Sequence, residues 1–218
     1  MKLSYLPKNL KLRVLPYSLW LAYDIKNFNY INSLLPTNTE LANIKLLQND
    51  VLASPKLMFN AYTLESQLMN GMRLEVVSIV KNKDTNNHHF VIFDCFTNTM
   101  DWNPIDGIKL FANAKCNFKY ENDIYKLSIK NKKNEILSIM GKKDKLFKPQ
   151  TKFVVDANKE CYYRNIPLKF PMKFERNEVT RRVRSLHFFN VTNILWENTK
   201  GNLTHIFLHE HDMTFTVF

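Results

Sequence analysis

From about residue 44 onward, apolar residues recur at alternate positions or in short unbroken runs, and polar turn segments separate them. "IKLLQ" is a short run of this kind, and "KLMFNAYTLES" follows it. "GMRLEVVSIV" and "HHFVIFDCFTN" flank the polar segment "KNKDTNN", which reads as a hairpin, with His88 and His89 at its turn. "IKLFANAKCNFKYE", "DIYKLSIKN" and "NEILSIMG", joined by "ND" and "KK" turns, read as a meander. Further strands are expected in "KFVVD", "IPLKFPMKFE", "FFNVTNILWEN" and "LTHIFLHEHDMTFTVF". Roughly ten strands in succession predict an antiparallel barrel or sandwich. The stretch before them differs. Leu19, Leu21, Ala22, Ile25 and Phe28, then Tyr30, Ile31, Leu34 and Leu35, lie nearer to helical spacing, with Pro16 before them and Pro36 after. This predicts one or two short helices, forming a cap over residues 1–43 of a single domain that spans 1–218.

Two strands are apolar on both faces, which implies cover on both sides. In "RLEVVSIV", Leu74, Val76, Ser78 and Val80 share one face, and Arg73, Glu75, Val77 and Ile79 share the other. Glu75 then meets a largely apolar space, where a carboxylate either finds a partner or neutralises. Arg73, on the same face, is the nearest partner. Asp94 in "FVIFDCF" poses the same problem on the next strand. Ionisable groups driven inward in this way mark either a ligand site or a structural ion pair.

Composition narrows the function classes. With 218 residues, 45% of them hydrophobic, the chain can build one sizeable core. Its 4 glycines form no phosphate-cradling loop, and no motif calls for a cofactor. The net charge of +11 sits largely in lysines dispersed through asparagine-rich turns, a solvated surface that also attracts anionic ligands. Cys95, Cys116 and Cys161 have no metal-like spacing and, being odd in number, argue for a reducing compartment. No stretch has the length of a signal peptide or a membrane span, so a cytoplasmic protein without a membrane partner is expected.

The glutamate on "RLEVVSIV", the following "FVIFDCFTN" and then "KLFANAKCNFKYE" leading into a meander resemble the acetoacetate decarboxylase-like superfamily, including its branch of small bacterial proteins. The likeness covers roughly residues 55–140 in pattern and order. It implies a β-barrel or cone and a lyase that acts through a Schiff base. "ANAKCN" stands where the family has a phrase like "GYPKKL". The resemblance therefore implies that Lys115 is the nucleophile and Glu75 the family's glutamate; Arg73 and Asp94, the other ionisable groups driven inward, are the substrate-binding candidates. The family lysine attacks a ketone, and the resulting iminium accepts the electrons released as carbon dioxide leaves. Such a lysine must be neutral near pH 7, against a free value of about 10.4, and three units of depression correspond to about 4 kcal/mol. Two positions depart from the phrase: Ala114 replaces its proline, and Cys116 replaces its second lysine. Simple alternation puts Lys115 with Asn113, Asn117 and Lys119 on a polar face, opposite Ala112, Ala114, Cys116 and Phe118.

The remaining constellations are incomplete. His205, His209 and His211 lie at metal-pair spacing, but nothing elsewhere completes a ligand set, and no metal is expected. Arg181, Arg182 and Arg184 could fork onto phosphate or carboxylate. No nucleic-acid-binding module accompanies them, so nucleic acid is the least favoured partner. No GxSxG is present. Three readings stay open: a lyase for a carbonyl or keto-acid substrate, a non-catalytic binder of a small anionic ligand, and a basic surface for nucleic acid. A homo-oligomer is compatible with each.

Overall fold

The computed structural model describes residues 10–67, 70–99, 101–103, 107–109, 113–131, 134–143, 151–152, 161–163, 166–167, 172–175 and 182–217. The chain opens with strands β1 (Leu10–Val14) and β2 (Ser18–Ile25), helix α1 (Phe28–Ser33) and strand β3 (Thr39–Leu41). Three long strands follow: β4 (Lys56–Glu65), β5 (Gly71–Asn82) and β6 (His88–Thr97). A small ribbon, β7 (Asp101–Asn103) with β8 (Gly107–Lys109), leads into the meander β9 (Ala114–Glu121), β10 (Ile124–Asn131) and β11 (Asn134–Lys143). Then come the short strands β12 (Thr151–Lys152), β13 (Cys161–Tyr163), β14 (Ile166–Pro167) and β15 (Met172–Glu175). The chain ends with β16 (Arg182–Asn193), β17 (Lys200–His209) and β18 (Met213–Val217).

All but the β7–β8 ribbon join one sheet, whose main path runs β14-β13-β6-β5-β4-β2-β17-β16-β11-β10-β9. The pairings are antiparallel except for β13 alongside β6. The sheet curls until β9 returns to β6. Asn113 makes the junction. Its N–H donates to Thr97 O (3.0 Å), its Oδ1 accepts from Thr97 N (2.7 Å), and its Nδ2 donates to Cys95 O (2.9 Å). The result is a mainly β, antiparallel sheet curled into a cone, in keeping with the antiparallel barrel or sandwich that the strand pattern predicted and the cone that the resemblance implied.

Side chains drawn from all round the curl fill its inside, among them Leu21, Phe59, Leu74, Phe93, Tyr125, Leu127, Ile139 and Leu208. Each large apolar group buried there contributes about 1.5–3 kcal/mol. A second cluster lies on the opposite face of the central strands. There Trp20, Met58, Val77, Ile79, Phe90 and Phe207 are covered by Ala42, Ile44, Leu46 and Leu47 from the β3–β4 connection. The central strands are thus buried on both sides, and β5 reads as a near-continuous buried run for that reason.

The same two-sided burial corrects the expected helical cap. Ser18–Ile25 is a strand, and the only helix described in residues 10–43 is Phe28–Ser33, capped by Asn27 Oδ1 on Tyr30 N at 3.0 Å. Leu19, Leu21 and Ile25 enter the inner cluster, and Trp20 and Ala22 enter the outer one. A strand covered on both faces shows no alternation, and over eight residues its apolar run imitates a helix. Two smaller readings also change. Ile44 makes only an isolated bridge to Ser54, and His88–His89 open β6 instead of forming the turn, which is residues 83–85.

Candidate functional site

Glu75 lies mid-way along β5, paired with Asn60 of β4 on one side and Cys95 of β6 on the other. Arg73 lies two residues earlier on the same face, paired with Tyr62 and Thr97. This is the face of the outer cluster, because Val77 and Ile79 continue it while Leu74 and Val76 point into the cone. Arg73 folds back along its strand and donates from Nε (3.3 Å) and Nη2 (3.2 Å) to Glu75 Oε1. The Tyr62 hydroxyl donates to the same oxygen at 2.7 Å. Both ion-pair side chains are nearly enclosed, 8% exposed for Arg73 and 12% for Glu75. Oε2 takes no hydrogen bond from any described residue, while three donors converge on Oε1.

This geometry decides the electrostatics. Burial pushes the Tyr62 hydroxyl well above its ordinary value, and the Glu75 carboxylate reinforces the shift. Tyr62 therefore stays a proton donor to Glu75 Oε1, and the Arg73 guanidinium places its positive charge against the same oxygen. The cluster presents one clamped and one unclaimed carboxylate oxygen, an arrangement able to take a proton from, or accept a hydrogen bond from, a bound molecule.

The other candidates fall elsewhere. Lys115 is exposed on β9, opposite Lys130, and makes no ion pair among the described residues. Asn117 and Lys119 are exposed with it, while Cys116, Phe118 and Tyr120 turn towards the core, as alternation required. Asp94 is half-buried and pairs with Val76, so it lies on the inward side of β6, away from the Glu75 face; its Oδ1 accepts from its neighbour's amide, Cys95 N, at 3.1 Å. The structure brings Arg73 and Glu75 together and leaves Lys115 and Asp94 apart from them.

His205 is tied to Asp50 at 2.9 Å, and His209 Nδ1 lies 2.8 Å from the carbonyl of His211. Among the described residues no group of three or more His, Cys, Asp or Glu side chains could hold a metal. Arg184 is engaged by Glu210, which also holds Lys143 at 2.7 Å. Sequence reasoning missed Tyr62 and Asn60. Their signal was present: two polar-tipped residues at i and i+2 in the otherwise apolar run "LMFNAYTL".

No family model matches this chain, and no curated protein sequence matches it. Solved structures do. An acetoacetate decarboxylase from Legionella pneumophila superposes with a TM-score of 0.57 at 10% identity, covering 100% of this chain and 90% of that one. An acetoacetate decarboxylase-like enzyme from Sphingomonas wittichii RW1 gives 0.55 at 5% identity, covering 97% and 91%. The enduracididine biosynthesis enzyme MppR, complexed with pyruvate, gives 0.51 at 8% identity, covering 98% and 89%. The fold is that of acetoacetate decarboxylase. At such identities the acetoacetate decarboxylase-like fold carries no side chain with it, so the chemistry rests on the residues described above.

Proposed function

We propose that this chain binds a small carbonyl- or carboxylate-bearing molecule on the Arg73–Glu75–Tyr62 face of its cone. The observation that carries the reading is the division of labour on Glu75: Oε1 is fixed by three donors, and Oε2 is unclaimed by the described residues. A purely structural ion pair gains most when both carboxylate oxygens are satisfied. A carboxylate held rigid by one oxygen is pre-organised to use the other. Arg73 supplies positive charge on the same face for an anionic group, and Tyr62 fixes the carboxylate's orientation.

The fold shared with decarboxylases favours a second, separate reading, with the chemistry at Lys115 on β9 instead of on the Glu75 face. In it the Lys115 amine adds to the ligand's carbonyl with loss of water. The iminium then receives the electron pair of the breaking C–C bond as carbon dioxide departs, and a proton returns to that carbon. For this the amine has to leave the water that surrounds it on the exposed face of β9. The experiment is incubation with acetoacetate, pyruvate and a small aldehyde panel, followed by borohydride and peptide mapping, with Lys115→Ala alongside. A single adduct on Lys115, absent in the variant, assigns lyase chemistry. Ligand-dependent thermal stabilisation with diffuse labelling over many lysines assigns binding without Schiff-base catalysis. No stabilisation by any of these compounds, and no specific adduct, overturns the proposal.

A further inference from the structure

We infer that Asn60 is a specificity-determining residue of this site and that the ligand carries a hydroxyl beside its carbonyl or carboxylate. The inference rests on the site proposed above. Asn60 lies directly across from Glu75 on β4 and across from Trp20 on β2. Cross-strand neighbours hold their Cβ atoms about 4.5–5.5 Å apart, so the Asn60 amide and the Glu75 carboxylate share one space. Its Oδ1 is enclosed and has no hydrogen-bond partner. A buried amide oxygen left unpaired is costly, and each such atom in a folded protein calls for a partner. The adjacent Glu75 Oε2 is likewise unclaimed by the described residues, since Tyr62 and Arg73 all donate to Oε1.

The enclosed Asn60 Oδ1 needs a donor, and Glu75 Oε2 on the neighbouring strand is free to accept a second one from the same ligand. A keto acid ionised at neutral pH has none. A hydroxyl has one, and its own oxygen can in turn accept from the Asn60 amide N–H. An ammonium group would also donate, but the Arg73 guanidinium on the same face repels it. Trp20, stacked on Phe207 with ring centroids 6.1 Å apart, walls the far side of Asn60 with an apolar surface. The favoured class is therefore a small hydroxy-carbonyl or hydroxy acid, with the hydroxyl on the carbon next to the recognised group.

The test is calorimetric titration of hydroxypyruvate against pyruvate, a pair differing by one hydroxyl, into the full chain and into Asn60→Leu. Asn60→Ser serves as a second variant, and circular dichroism checks that each is folded. The expected result is that wild type prefers hydroxypyruvate by about tenfold or more. Asn60→Leu brings that ratio to about one. Equal binding by wild type, or a preference that survives in both variants, overturns the role of Asn60 and leaves the Arg73–Glu75 site standing. No binding of either compound overturns both.

Discussion

Removing one oxygen atom tests whether Tyr62, Arg73 and Glu75 act as a unit. In Tyr62→Phe the ring and its packing remain, and only the hydroxyl that donates to Glu75 Oε1 at 2.7 Å is lost. A hydrogen bond to a charged group contributes about 1.5–3 kcal/mol, and burial on both faces of the sheet leaves little room for water to replace it. Arg73 still donates twice to the same oxygen, so Glu75 stays paired and the expected cost is about 2 kcal/mol. For a chain of this length that lowers the melting temperature by about 4–8 °C. Urea unfolding of wild type, Tyr62→Phe, Glu75→Gln and the double variant closes a cycle, and a coupling of about 1–2 kcal/mol is expected. Strict additivity, or a Tyr62→Phe loss below about 0.5 kcal/mol, would show that the hydroxyl and the carboxylate do not depend on each other.

Three further outcomes follow from particular contacts. Asn113→Ala removes two side-chain hydrogen bonds to β6, so a loss of about 1–3 kcal/mol and faster amide exchange at Thr97 are expected; unchanged exchange there would mean the cone is closed by other contacts. Burial pushes the Asp50 carboxyl up, but the Leu47 N–H, His205 and the Leu46 N–H together hold it below its ordinary value. Its contribution to stability is therefore present above the unfolded value of about 3.9 and is lost as pH falls through the folded one, so Asp50→Asn should flatten the acid limb of a urea-midpoint profile. Burial pushes the Cys116 thiol up to about 11, despite the Asn98 N–H it accepts. Peptide-mapped alkylation at pH 8 should then find Cys116 roughly a hundredfold slower than a free thiol, and a rate near that of the free thiol would contradict its placement.

The cone was legible in the sequence because its turns are polar and its meander alternates cleanly. β9 shows the pattern at its plainest, with Lys115, Asn117 and Lys119 out and Ala114, Cys116 and Phe118 turned in. The pairing of Arg73 with Glu75 was legible for a related reason. A charge in a run of Val and Ile has few ways to be satisfied, and its neighbour two residues away shares its face. β2 was not legible as a strand, because burial on both faces erased the alternation that distinguishes it from a helix. Tyr62 and Asn60 were missed because their roles depend on register. Nothing local to "FNAYT" says that Asn60 will lie opposite Glu75 and Tyr62 opposite Arg73. Asp94 parts from the cluster for a subtler reason: Glu75 and Asp94 look alike in sequence, but the pairing of Val76 with Asp94 puts them on opposite faces.

The central claim is that the face carrying Arg73, Glu75 and Tyr62 holds a small carbonyl or carboxylate compound. A crystal structure of the full chain grown with, and soaked in, hydroxypyruvate tests it most directly. The account predicts ordered ligand within hydrogen-bonding distance of Glu75 Oε2, with Oε1 still held by Tyr62 and Arg73. Ligand bound at Lys115 or elsewhere, or a Glu75 carboxylate left empty at saturating concentration, would contradict it.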